Sequence, residues 1–181
     1  VKGSNIVLNK NTGRGHVTNA RILVKNVPVF YFPYIDFSID HQRKSGFLWP
    51  TVGLVSSSFG ASLLTPFYWN MAPNFDMTIT PGFLAKRGVQ VTDQFRYLSD
   101  ISSGTLTVSV LPNDRQFKIL QEQYAETYGT SKNDTIQAEL SRLLNNNATR
   151  KSLFFRDETR FNEHWSSHID YNYAGDDYFL Q

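Results

Sequence analysis

The chain contains no cysteine, so disulfide frameworks, thiolate nucleophiles and Cys-based zinc sites are excluded. No apolar run approaches the roughly 20 residues that a membrane-spanning helix requires. A helical span is thereby excluded. A β-barrel is not, because its strands need only about 9–11 alternating residues and leave a weak hydropathy signal. Charge is also scarce in net terms: 18 Lys and Arg stand against 16 Asp and Glu, a formal +2. The basic residues are scattered rather than striped, which argues against a nucleic-acid partner. There is no GxSxG, phosphate loop or HExxH, and Gly13 and Gly15 flank Arg14 without the further glycines of a phosphate cradle. The sequence shows no machinery for hydrolysis, calls for no cofactor or metal, and gives no reason to expect an enzyme. It begins at Val1 without Met or a charged-then-apolar leader and stops at Gln181, just after an aromatic stretch. The expectation is an excised piece of a larger mature protein.

What is present is aromatic and β-branched sequence in short runs. In residues 1–40, alternation at Ile6 and Leu8, at Ala20, Ile22 and Val24, and at Val27, Val29 and Tyr31 is punctuated by Asn11 to Gly15, Asn26, Pro28 and Pro33. These are expected to be the last strands of a β-domain. Asp40 to Ser45 is polar between apolar neighbours, which places a hinge at residues 41–46. From residue 47 to 181 the texture is strands: Phe47, Trp49, Thr51, Gly53 and Val55 alternate, then Leu63, Phe67 and Trp69. Runs follow at Asp76 to Leu84, Val89 to Leu98, Thr105 to Leu111, Lys151 to Arg156 and His164 to Tyr173, separated by short turns. Seven consecutive strands make an antiparallel meander, so the fold class is all-β.

The opposite faces of these strands are partly polar, as at Thr78 and Thr80, Gln90, Thr92 and Gln94, and His168, Asp170 and Asn172. A soluble sandwich and a transmembrane barrel both give that alternation. Aromatics near strand ends, including Trp49, Phe67 to Trp69, Tyr97, Trp165 and Tyr173, favour the barrel through the interfacial girdle it would need. Ordinary core and edge aromatics are the alternative. Between Leu111 and Arg150 the period changes: Phe117, Leu120, Tyr124 and Tyr128 recur three and four apart, as on one helical face. A second helix is expected to begin at Asp134 with Gln137 completing a capping box, and to carry Ile136, Leu140, Leu143 and Leu144. The insert, about residues 115–147, belongs on the outer face if Phe47 starts the first strand on the inner side. His164 and His168 would lie about 13 Å apart along a strand, too far for a ligand pair. Asp157 with Glu158 and Asp176 with Asp177 are expected as solvated turn residues.

Prolines carry more information. Pro50 and Pro66 fall inside the first two expected strands and Pro81 inside the third, although proline cannot donate to a ladder. Bulges or strand ends would accommodate them.

The ordered motifs VPVFYFPY (Val27 to Tyr34), RKSGFLWP (Arg43 to Pro50), PFYWNMAPNFDMTITP (Pro66 to Pro81), KRG (Lys86 to Gly88), FRYL (Phe95 to Leu98) and LPND (Leu111 to Asp114) closely resemble the LptD family of LPS-assembly proteins. The resemblance runs from about Asn19 to Phe179. It implies the end of a periplasmic β-jellyroll in residues 1–40, followed by the first strands of a Gram-negative outer-membrane β-barrel, here only part of a barrel. It also implies transport of lipopolysaccharide to the outer leaflet, with Pro50 and Pro66 weakening a lateral gate where first and last strands close. Ile22, Val24, Val29 and Phe30 are the candidates for an acyl-chain groove, with ordinary core packing as the alternative. Arg43 and Lys44 are candidates for lipid phosphates at the hinge, with a solvated linker as the alternative. Implied partners are an LptE-like lipoprotein plug inside the barrel and an LptA-like periplasmic bridge docking on strands upstream of Val1. The rival readings are a soluble all-β carbohydrate-binding module and a porin-like diffusion channel.

Overall fold

A computed structural model describes residues 2–24, 26–39, 43–53 and 58–175, without the side chains of Ile22, Val24, Val27, Val29 and Phe30. It contains two antiparallel sheets. The smaller is β1 (Asn5–Asn9), β2 (Arg14–Val24) and β3 (Val27–Ser38) in that order. Asn9 Oδ1 closes the first turn by accepting from the Asn11 and Thr12 amides at 3.0 and 3.2 Å. Asn26, at φ 66, supplies the left-handed residue of the second. Val17, opposite Ile35, and Ala20 form its buried core, with the partly buried Phe32 and Phe37 packed against them.

The larger sheet holds β4 (Gly46–Phe47), β5 (Thr51–Gly53), β6 (Ser62–Leu64), β7 (Phe67–Ala72), β8 (Phe75–Leu84), β9 (Gly88–Leu98), β10 (Ser102–Leu111), β11 (Arg150–Arg160) and β12 (Ser166–Ala174). These nine segments come from seven chain passes, as the alternation predicts. Turns at residues 73–74, 99–101 and 161–165 lie at the end that meets the small sheet. The turn at 85–87 and the long insertion at 112–149 lie at the other end. Gly88 begins β9 at φ 126, a conformation open to glycine and hardly to other residues.

The faces of this sheet differ in kind. Across six passes, Trp69, Met77, Phe95, Leu106, Phe155 and Tyr171 are successive partners. One residue away on every strand, and therefore on the other face, run Asn70, Asp76, Arg96, Thr105, Arg156 and Asp170. Among the described residues no second layer covers the apolar face, where Trp69 and Tyr171 are about half exposed (48% and 53%). The described buried hydrophobic cluster belongs to the small sheet instead.

The insertion is two helices, α1 (Arg115–Tyr128) and α2 (Asp134–Asn145), packed on each other. Asp114 caps α1, accepting from the Gln116 and Phe117 amides at 3.0 and 3.4 Å. The start of α2 differs from the capping-box expectation. Asn133 is the cap, accepting from Thr135 and Ile136, and Gln137 instead donates backward to the carbonyls of Tyr128 and Ser131. A better-placed Asn one residue earlier displaces Asp134 to the first helical position. Leu140 and Leu143 are the buried face of α2, while Leu144, expected beside them, is exposed.

Candidate functional site

The first two passes of the large sheet are each cut in two at a proline. Pro50 lies between β4 and β5, and Pro66 between β6 and β7. Phe47 faces Phe67 and Thr51 faces Leu64, yet Leu48, Trp49 and Pro50 intervene on the first pass and only Thr65 and Pro66 on the second. The extra residue is a β-bulge at the first seam. On the other side of the second pass the register holds: Leu64 faces Gly82 and Phe67 faces Ile79, two intervening residues against two. The slip is confined to the edge. It also reverses the expected alternation, since Thr51 and Gly53 pair with Leu64 and Ser62 on the polar face, whereas Phe47 pairs with Phe67 on the apolar one.

The directions of Pro66 and Pro81 follow from the hydrogen bonds. Thr65 N donates to Pro81 O at 3.0 Å, so the backbone of Thr65 faces β8 and that of Pro66 faces the first pass. Leu48 N accordingly donates to Pro66 O at 2.9 Å. The return bond from Pro66 cannot form, because proline has no N–H. Pro81 repeats the defect one seam inward, facing Thr65 with no donor to return. Among the described residues the first seam retains five Cα pairs, two at β4 and three at β5, against ten between β8 and β9.

The small sheet abuts this weak edge. Phe32, Tyr34 and Ile35 of β3 join Phe47, Leu48, Pro50 and Thr65 around a mostly apolar cavity of about 130 Å³. Trp49, in the bulge, packs its ring on Phe37 with centroids 5.7 Å apart. Across the seam, Phe47 and Phe67 meet edge-on at 5.2 Å.

Polar bonds fasten the connection below it. Arg14 donates to Asp36 and to Ser45 O, each at 2.9 Å, and Lys44 Nζ to Thr12 O at 2.6 Å. Arg43 donates to Tyr68 Oη at 2.9 Å, to Pro73 O at 3.0 Å and to Asp76. Asp76, buried, also accepts from Arg96 Nε and Nη2 at 2.8 and 3.0 Å and from Tyr68 at 3.0 Å. Bonding to Tyr68 and then Asp76 pushes Arg43 further above its ordinary pKa, so its charge persists. Asn70 completes the clamp, donating to Arg43 O and Ser45 Oγ at 2.9 Å.

The structure thus brings Pro50 and Pro66 together at one seam and places Arg43 and Lys44 at the junction. Ile22 faces Phe30 across β2 and β3, Val24 faces Val27, and the register steps at Val29. The side chains of these groove candidates lie outside the described residues, as do Asp176 and Asp177. Two minor expectations are corrected. His164 sits in the turn before β12, separate from His168. Asp157 is not a solvated turn residue: it is buried within β11 and accepts from Tyr97, Ser102 and Thr159. Sequence reasoning missed the Asp76–Arg96 pair. Its two members sit in the NFDMT and FRYL motifs, and only the register of β8 and β9 shows them to be partners.

The family model described as LptD protein matches residues 16–174. LPS-assembly protein LptD of Coxiella burnetii is 41% identical over 188 residues, covering 100% of this chain and 21% of that protein. Its counterpart in Legionella pneumophila strain Lens is 36% identical over 182 residues, covering 100% of this chain and 20% of the relative. That of Ectopseudomonas mendocina is 47% identical over 126 residues, 70% of this chain and 13% of the relative. The chain therefore spans about a fifth or less of the length of these curated relatives.

Proposed function

The chain belongs to the LptD family, and on that premise we propose that it supplies the entry and lateral gate through which lipopolysaccharide reaches the outer leaflet. Residues 1–40 are the end of a periplasmic jellyroll, 41–46 the hinge, and 47–181 the first strands of an outer-membrane barrel that further chain completes. The observation that carries this reading is the slipped, donor-poor seam beside Pro50 and Pro66, at the edge of a sheet whose apolar face is uncovered among the described residues. Strands of 10 and 11 residues, β8 to β11, have the length a tilted barrel strand needs. A soluble carbohydrate-binding module would need a second layer over that apolar face, which the described residues do not supply. A porin-like channel has no use for a β-domain packed against its weakest seam.

The physical route follows from the two faces. A glycolipid cannot carry its polar head through hydrocarbon or its acyl chains through water. The head moves along the polar face, past the row that includes Asp76, Arg96 and Arg156, while the chains stay in apolar surroundings. Ile22, Val24, Val29 and Phe30 begin that apolar path and the cavity at Phe32, Phe47 and Pro50 continues it to the seam. Arg43 and Lys44 hold the hinge and meet lipid phosphates as they pass. An LptE-like plug fills the lumen, and an LptA-like bridge feeds the upstream jellyroll strands.

Opening costs little where bonds are already missing. Each backbone bond is worth about 1 kcal/mol net, and its carbonyl costs more when left dry in lipid. In the intact parent, the pair Pro50→Ala and Pro66→Ala removes both rings and restores the donor that Pro66 lacks toward Leu48, making spontaneous opening several-fold rarer at about 1 kcal/mol for the restored bond. Delivery of LPS to the surface, followed by pulse labelling, should slow accordingly. Unchanged delivery in the double variant would remove the gate assignment.

A further inference from the structure

Three donors converge on one oxygen at the junction end of the first seam. Asp76 Oδ2 accepts from Arg96 Nη2 and Tyr68 Oη, both at 3.0 Å, and from Arg43 Nη2, whereas Oδ1 accepts from Arg96 Nε at 2.8 Å. A carboxylate oxygen offers about two lone pairs, so Oδ2 carries one donor more than it accommodates well. The two arginines are not equivalent. Arg96 grips both oxygens from the adjacent strand, in register with Asp76, whereas Arg43 reaches one of them from the connection between the sheets. If Arg43 leaves, Asp76 keeps the Arg96 fork and Tyr68, and no buried charge is stranded. Its departure loosens the seam, however. β4 contributes only two residue pairs, Gly46 with Tyr68 and Phe47 with Phe67. Arg43, three residues before β4, adds bonds to Tyr68 Oη, to Pro73 O in the next turn and to Asp76. Its guanidinium thereby fastens the start of the first pass to the second and third.

We infer that Arg43 is a bolt on the first seam and that a phosphate monoester arriving on the polar face withdraws it. Both guanidiniums are half exposed on that face, so an anion reaches them without entering the core. A phosphate takes the Arg43 guanidinium in a two-point fork, where Asp76 holds it through a single nitrogen. Arg96 Nη1, which Asp76 does not use, stands beside it as a further donor. The exchange trades one charge-assisted bond for two, and the carboxylate left behind is still paired. The source of the phosphate rests on the transport reading, since a glycolipid head moving from the small sheet to the polar face meets this cluster first. Arrival of cargo then loosens the first pass. Without cargo the bolt keeps the seam fastened despite its missing backbone bonds.

The test uses the full-length parent in lipid nanodiscs and reads amide hydrogen exchange over Gly46 to Leu48, where Leu48 N is bonded to Pro66 O across the seam. A deacylated, bisphosphorylated glucosamine disaccharide should speed exchange there about threefold or more, and the dephosphorylated disaccharide should not. Arg43→Gln should exchange as fast without the probe and gain nothing from it. Calorimetric titration adds a sign that a merely structural role would not give. Arg43→Gln should weaken binding of the probe about tenfold, whereas Asp76→Asn, which removes the competing carboxylate, should tighten it several-fold. No acceleration in the unaltered protein, an equal response to the dephosphorylated sugar, or acceleration that persists in Arg43→Gln would overturn the bolt. Inorganic phosphate acting as strongly as the disaccharide would overturn the glycolipid source. The proline test reads delivery of LPS and this one reads exchange with a soluble probe, so the two can fail separately.

Discussion

The seam between β10 and β11 and the seam between the first two passes belong to one sheet and are built in opposite ways. The former runs ten residue pairs without a slip, from Ser102 opposite Thr159 to Leu111 opposite Arg150. The latter has five described pairs, split by a bulge, with a proline aimed into it. The contrast separates two tasks that a ladder can serve. Unbroken pairing resists separation; interrupted pairing leaves the first pass loosely held, as the gate proposed above requires of a strand that closes a barrel.

The largest effect should come from moving the defect into the strong seam. Thr107, at the middle of β10 between Gln94 and Phe154, changed to Pro deletes a donor and strands its acceptor, a loss of about 2–4 kcal/mol. The urea midpoint of the full-length parent should fall, and equal stability would show that the seams do not differ in the way proposed. A smaller effect is expected at the junction. Asp76→Ala leaves Arg43, Arg96 and Tyr68 without their shared carboxylate. The expected loss is about 1–2 kcal/mol because both arginines are half exposed. Limited proteolysis at residues 40–45 should accelerate, and an unchanged rate would rule out the clamp. The smallest effect should follow Pro81→Ala, which returns one donor to Thr65 and about 1 kcal/mol to the second seam. Slower amide exchange at Thr65 and its neighbours would register it. If instead only the first seam tightens, the direction assigned to Pro81 is wrong.

Much of this architecture is legible in the sequence because period two survives wherever the ladder is regular. Thr78 and Thr80 or Gln90, Thr92 and Gln94 fall on one face as the pattern predicts. The spacing of Phe117 and Leu120 likewise finds α1. Legibility ends where one residue is added. The bulge at Trp49 and Pro50 changes the side on which Thr51 and Gly53 fall, and no periodicity count detects a phase change within so short a run. Asp157 is read as a turn residue because carboxylates favour turns, yet the hydroxyls of Tyr97 on β9, Ser102 on β10 and Thr159 on β11 itself satisfy it in place. The clamp at Asp76 is hidden for a different reason. Its partners lie 33 and 20 residues away, and nothing local in either segment announces them.

The bulge has one more effect, on whatever strand lies along the free margin of the first pass. A neighbour with regular pleating can keep step with Gly46 and Phe47, or with Thr51 to Gly53, but is one position out of phase with the other stretch. Full zippering there demands a matching irregularity in the neighbour. Without one, closure at that margin stays partial even when the two strands lie side by side.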